Sequence, residues 1–170
     1  MEITTERVRQ LREATGAGVM DCKRALTEAA GDMEKAKEVL KQQGLDRAEK
    51  KAGRVAAQGL VESYIHAGGR IGVLVELNCE SDFVARTDDF RALAHDLAMQ
   101  IAALAPRYIR PEDVPAGVEA EPNEILLSQP FIRDAGVTIQ DLIRNSISKL
   151  GENIQVRRFD RFALGEGAAD

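Results

Sequence analysis

Apolar residues recur along this chain with two different periods, and the change of period divides it. Up to about residue 58 they return every three or four positions, the spacing of helices with one buried stripe. Residues 4–15 form a first helix with Val8 and Leu11 on its stripe, Ile3 placed to staple its start and Gly16 to stop it. Residues 19–30 form a second, with Met20, Cys22, Ala25, Leu26 and Ala29 available to pack and Gly31 behind it. Asp32 is placed to cap a third, carrying Met33, Ala36, Val39 and Leu40 and closed by Gly44. A charged helical stretch follows from Asp46, with Arg47, Lys50, Lys51 and Arg54 on one face.

After Gly59 the pattern becomes that of strands. Residues 60–66 and 71–79 read as two strands joined by Ala67-Gly68-Gly69-Arg70, a connection short enough for an antiparallel hairpin. A long amphipathic helix runs from Asp88 to about Ala105, with Phe90, Leu93, Ala94, Leu97, Ala98, Ile101 and Leu104 inward and Pro106 barring its continuation. Residues 106–130 hold all five prolines with little periodicity and read as a long connecting loop. Residues 138–150 form another amphipathic helix, with Ile139, Leu142, Ile143, Ile147 and Leu150 inward and Gly151 ending it. Residues 153–162 alternate partly and fit a third strand. The predicted class is α+β: a three-helix module over residues 1–45, a charged helical linker over 46–58, a core of small antiparallel sheet with helices on one face over 59–162, and a flexible tail over 163–170.

Composition narrows the function. The chain has 170 residues, suited to one medium domain or two small ones, and 30% of them are charged. Residues 1–58 carry a net +2 and the remainder a net −7, so no broad basic surface is expected to hold a phosphate backbone and no direct nucleic-acid partner follows. Cys22 and Cys79 form no Cys-x-x-Cys pair and read as small packing residues. With no apolar N-terminal leader and no membrane-length run, they predict a reducing cytoplasm. His66 and His95 lie apart without ligand spacing, so neither a metal nor a cofactor is expected. Gly16-Ala17-Gly18 follows a helix rather than a strand, and Asp21 stands where a dinucleotide fingerprint needs its third glycine. With no nucleophile elbow and no phosphate loop, binding fits better than catalysis.

Two stretches are candidates for that binding. Thr15-Gly16-Ala17-Gly18-Val19-Met20 joins two helices, and its turn chemistry alone fits an ordinary connection; the other reading is a small apolar patch. Ser81, Asp82, Phe83 and Val84 fall at a strand-to-helix corner, where a carboxylate beside a large ring leaves two arrangements open. Either Phe83 turns inward, gaining about 1.5–3 kcal/mol of burial while Asp82 caps the turn, or the pair projects outward. Local residues favour the first.

Three motifs then bear on the choice: residues 11–26 (LREATGAGVMDCKRAL), 78–86 (NCESDFVAR) and 150–158 (LGENIQVRR). With them the sequence resembles the bacterial elongation factor Ts family over nearly its whole length, in its short form. That family exchanges guanine nucleotides on elongation factor Tu, the GTPase that brings aminoacyl-tRNA to the ribosome. The resemblance implies an N-terminal module like the three-helix ubiquitin-associated domain. It implies that Ser81, Asp82, Phe83 and Val84, matching a family Thr-Asp-Phe-Val, project outward and dislodge the partner's magnesium, with the Ser81 hydroxyl preserving the cap. It implies that Leu11, Thr15, Gly16, Ala17, Gly18, Val19 and Met20 grip the GTPase, and that Leu150, Gly151 and Glu152 form a further contact. A symmetric homodimer would supply the second half of the core seen in longer members. The family has a longer, partly helical segment where this chain has only residues 115–129.

Overall fold

A computed structural model of the chain describes residues 3–166. Three helices form the N-terminal module: α1 (Thr5–Thr15), α2 (Val19–Glu28) and α3 (Met33–Lys51). Their stripes meet in a small core of Val8, Leu11, Cys22, Ala25, Leu26, Ala29 and Ala36. The ends obey the local chemistry. Thr4 caps α1, Asp32 caps α3 by accepting from the N–H groups of Glu34 and Lys35 at 3.0 Å, and Gly16 stops α1 in the left-handed region at φ 68°.

Gly44 does not close the third helix. α3 runs through it for 19 residues, so the stretch read as the start of a separate linker is its second half. Gly44 is buried, and a Cβ there would stand 3.5 Å from the Ser148 hydroxyl on another helix, α6 (Ile139–Leu150). The glycine marks a close helix crossing rather than a stop. α3 consequently serves two cores: Ala36 packs in the module, and Ala48 in the larger core beyond it. Part of the basic face is engaged internally. Arg47 donates two hydrogen bonds to the Asp21 carboxylate, at 2.9 and 2.8 Å, tying α3 to α2, and Arg24 pairs with the same carboxylate.

The larger core is a three-stranded antiparallel sheet, β1 (Gln58–Ile65), β2 (Ile71–Cys79) and β5 (Gln155–Ala163), with β2 central. Val73, Val75, Leu77 and Cys79 alternate to the inner face of β2 and are buried, whereas Leu74 is exposed. Helix α5 (Asp88–Leu104), capped by Thr87, crosses the inner face with Phe90, Leu93, Ala94, Leu97, Ala98 and Ile101 buried. Leu104, expected inward, is 42% exposed as the last residue of the helix. The fold is thus α+β, with the helices gathered on one face of the sheet. Among the described residues no helix is long and apolar enough to cross a membrane.

The proline-rich stretch is more ordered than a connecting loop. It holds three single-turn 3-10 segments (Pro111–Asp113, Pro122–Glu124, Leu126–Ser128) and leads into a hairpin of β3 (Pro130–Phe131) and β4 (Asp134–Thr138). Its anchor is a fully buried glutamine pair: Gln100 Nε2 donates to Gln129 Oε1 at 3.0 Å and to the Pro130 carbonyl at 3.1 Å, and Gln100 Oε1 accepts from Ile132 N–H at 2.9 Å. The expected flexible tail is not seen at its start, residues 163–166. The last strand reaches Ala163, and residues 164–166 form a turn whose Leu164 N–H donates to the Arg70 carbonyl at 2.8 Å. Residues 167–170 lie outside the described residues.

Two measurements test this arrangement. A glycine inside a helix is less favourable than alanine by up to about 1 kcal/mol, and the Cβ at position 44 would meet Ser148 at ordinary contact distance. Gly44→Ala therefore leaves urea stability unchanged or raises it, while Gly44→Leu lowers it by about 1–3 kcal/mol by parting α3 from α6; loss of stability in the alanine variant would mean a helix stop. The second concerns pH. The hydrogen bonds from Arg47 hold the Asp21 carboxyl below the usual carboxylate range, against the smaller upward push of burial. A lowered folded-state pKa gives stability that is present above the ordinary value of about 3.9 and lost as pH falls through the depressed one. Asp21→Asn should be less stable than the parent at pH 7, and the gap in urea midpoints should shrink by pH 3.

Candidate partner-binding site

Strand β2 ends at Cys79, and the chain must turn before α5 begins. The turn is a four-residue helix, α4 (Asp82–Ala85). Ser81 caps it, its hydroxyl accepting from Val84 N–H at 3.3 Å. The cap is thus Ser81 and not Asp82, as the preserved hydroxyl implied. Val84 and Ala85 are buried and fasten the turn to the core. Phe83 faces the other way and is 79% exposed, so the inward arrangement favoured by local residues is not the one adopted. Asp82 is also exposed, with its carboxylate 2.7 Å from the Arg86 guanidinium one turn on.

The reason lies in a distant residue. The Glu152 carboxylate accepts from the N–H groups of Glu80 (3.0 Å) and Ser81 (2.9 Å) and from the Ser81 hydroxyl (2.5 Å). These two backbone donors lie where the β2 ladder stops, and without Glu152 they would need other partners. With the corner held from behind, Val84 fills the core and Phe83 is left outside. Cys79 lies beneath: its Sγ donates to the Ser81 carbonyl at 3.1 Å, and burial pushes its thiol pKa up, as befits packing rather than reactivity. Cys22, buried in the small core, is shifted the same way for the same reason.

The N-terminal candidates divide in two. Leu11 is fully buried, so it supports the turn and presents nothing outward. The Thr15 hydroxyl donates back to the Leu11 carbonyl at 2.6 Å, Gly16 holds the left-handed conformation, Ala17 is partly buried, and Gly18 is the N-cap of α2 without a capping side chain. Val19 and Met20 are exposed at 51% and 71% and form the apolar part of the turn. The turn borders a groove of about 770 Å³ whose other walls come from α3, α6 and β4, including Lys41, Arg47, Lys149 and Val137.

The third group divides likewise. Leu150 is partly buried against the core, Gly151 is exposed in the left-handed region at φ 80°, and Glu152 directs its carboxylate into the corner. Sequence reasoning missed three participants: Glu80, Asn153 and the Asp82–Arg86 pair. The i, i+4 spacing of that last pair was the one available signal; Glu80 and Asn153 gave none.

Known proteins resemble this chain over most of its length. The family model described as elongation factor TS matches residues 5–134. Elongation factor Ts of Carboxydothermus hydrogenoformans is 53% identical over 198 residues, covering 98% of this chain and 91% of that protein. The Coprothermobacter proteolyticus protein of the same name is 52% identical over 197 residues, covering 98% of this chain and 100% of its own length. That of Moorella thermoacetica is 53% identical over 191 residues, covering 94% of each. These alignments are longer than the 170 residues present here, so the relatives carry residues that this chain lacks. The chain belongs to the elongation factor Ts family, a family of bacterial translation elongation factors.

Proposed function

We propose that this chain is a guanine-nucleotide exchange factor for elongation factor Tu. It binds the GDP-loaded GTPase, disturbs the magnesium and phosphate site so that GDP leaves, and stays bound until GTP enters. The observation that carries this reading is Phe83, 79% exposed on a corner with a fixed backbone, in a chain of this family. Burying such a ring gains about 1.5–3 kcal/mol, and this chain leaves that gain for a partner. Asp82 is similarly available, because an exposed ion pair such as Asp82–Arg86 is worth less than about 1 kcal/mol and yields readily.

Exchange breaks no covalent bond, so the factor is not an enzyme in the catalytic sense and needs no cofactor of its own. It acts on the partner's GDP and magnesium. It must bind the nucleotide-free GTPase better than the loaded one, and by reciprocity each ligand then weakens the other by the same ratio. Magnesium neutralises phosphate charge, and a wedge that shifts it leaves the phosphates poorly compensated. The exposed turn at Val19 and Met20 supplies a second grip, and the cytoplasm is where such a partner is met. The exposed outer face of the sheet, with Val61, Ile65, Leu74 and Phe162 at 48–69% exposure, supports the homodimer.

Exchange is measured by mixing the chain with elongation factor Tu loaded with fluorescent GDP and excess unlabelled GDP. Release should accelerate at micromolar chain, and an unchanged rate would remove the reading. Phe83→Ala should slow accelerated release by about 10- to 100-fold, matching the burial energy above. Its own stability should stay within about 0.5 kcal/mol of the parent, because the ring contributes little to the core. Phe162→Glu should convert a dimer into a monomer in sedimentation; a parent that sediments as a monomer would exclude the homodimer.

A further inference from the structure

Two glutamates exchange backbone partners at the base of the corner. Glu152 takes the N–H groups of Glu80 and Ser81, and in return the Glu80 carboxylate takes the N–H of Asn153 at 2.6 Å. Asn153 is 4% exposed, and its amide nitrogen donates to the carbonyls of Ala52 (3.3 Å) and Arg54 (2.8 Å). Both acceptors are carbonyl oxygens, which only the NH2 side of the amide can satisfy. These carbonyls lie just past the C-terminal end of α3, and the Arg54 guanidinium stands 3.6 Å from Glu80. Asn78, at the end of β2, reaches the same segment by donating to the Ala56 carbonyl at 3.3 Å. Three stretches remote in sequence therefore meet at one polar joint: the exit from α3, the Phe83 corner and the turn between α6 and β5.

We propose that Glu152, Glu80 and Asn153 are positioning residues, a reciprocal clasp that sets the Phe83 corner against the end of α3 and so fixes its separation from the Val19–Met20 turn carried by the same helical module. Glu152 thereby serves the partner site from behind rather than by touching the partner. The hydrogen bonds that carry the clasp are charge-assisted and partly shielded from water, the conditions under which such bonds hold a geometry best. The one-turn helix α4 is far below the length at which a helix is stable alone, so its orientation has to be imposed from outside. The clasp and the buried Val84 are what impose it.

This role rests on the exchange reading for its consequence in the partner, but the clasp itself can be tested in the free chain. Glu152→Ala should melt as cooperatively as the parent, while the amides of residues 80–86 exchange hydrogen at least tenfold faster. With elongation factor Tu, its release rate at saturating chain should fall at least tenfold, with the half-saturating concentration moved less than threefold, because the Val19–Met20 turn is untouched. Glu152→Gln, which keeps one acceptor oxygen for the backbone donors, should recover most of both. Adding Phe83→Ala to Glu152→Ala should cost less than a further threefold, since a misplaced ring has little left to lose. A purely structural residue would instead give losses that multiply. Unchanged amide exchange at 80–86, a saturating rate equal to the parent's, or fully multiplying losses would each overturn the clasp. Should Glu152→Ala fail to fold, Ser81→Ala, which removes the hydroxyl bond to Glu152, takes its place as the loosening variant, with Glu152→Gln kept as the conservative control. If the parent itself does not speed GDP release, the exchange reading falls, while hydrogen exchange still decides the clasp.

Discussion

One carboxylate decides how this molecule meets its surroundings. Where β2 ends, the N–H groups of Glu80 and Ser81 lose the ladder, and an unpaired buried donor costs about 1–3 kcal/mol. Glu152 removes that cost for both and also holds the Ser81 hydroxyl. Ser81 then works in two directions, donating to Glu152 and capping α4 through Val84 N–H. Once the backbone is fixed in this way, the alternation of side chains around a single helical turn settles the rest. Val84 and Ala85 face the core, and Phe83 cannot.

Helix α3 extends the same constraint across the chain. Had it stopped at Gly44, the N-terminal module would hang on a separate charged helix. It runs unbroken instead, with Ala36 in one core and Ala48 in the other, and its close approach to α6 at Gly44 and Ser148 leaves room for a methyl group and for no larger side chain. Arg47 bonded to Asp21 steadies its module side, and Arg54 beside Glu80 marks its core side. The basic residues that share one face of the charged helical stretch are in part these internal ties.

Most of the architecture was legible from periodicity and end signals. β2, α5 and α6 carry their buried stripes in plain order, β1 alternates between exposed and half-buried positions, and Gly16, Asp32 and Gly151 mark ends by chemistry that acts within a few residues. What was illegible depends on contacts across long separations. The outward stance of Phe83 turns on Glu152, 71 residues from Ser81. The order of the proline-rich stretch turns on Gln100 meeting Gln129, 29 residues on, both looking like surface residues in the sequence. Gly44 misled because a glycine that ends a helix and one that admits a neighbouring helix are written with the same letter. The family resemblance supplied the outward ring where local energetics pointed the other way, and the bonds from the Glu152 carboxylate to this chain's own backbone are what it did not supply.

The same geometry bears on how exchange would proceed. A wedge on a mobile loop would lose much of its burial gain to ordering, at about 1–2 kcal/mol for each residue fixed. Two or three such residues would consume the whole of the roughly 1.5–3 kcal/mol that one phenylalanine provides. In the proposed exchange, a corner already ordered in the free chain would keep that energy for the difference between loaded and empty partner, the only quantity that would accelerate release. Weak, exposed pairing at Asp82 and strong, shielded pairing at Glu152 are therefore complementary. The first lets the tip change partners easily, and the second keeps the base from moving when it does.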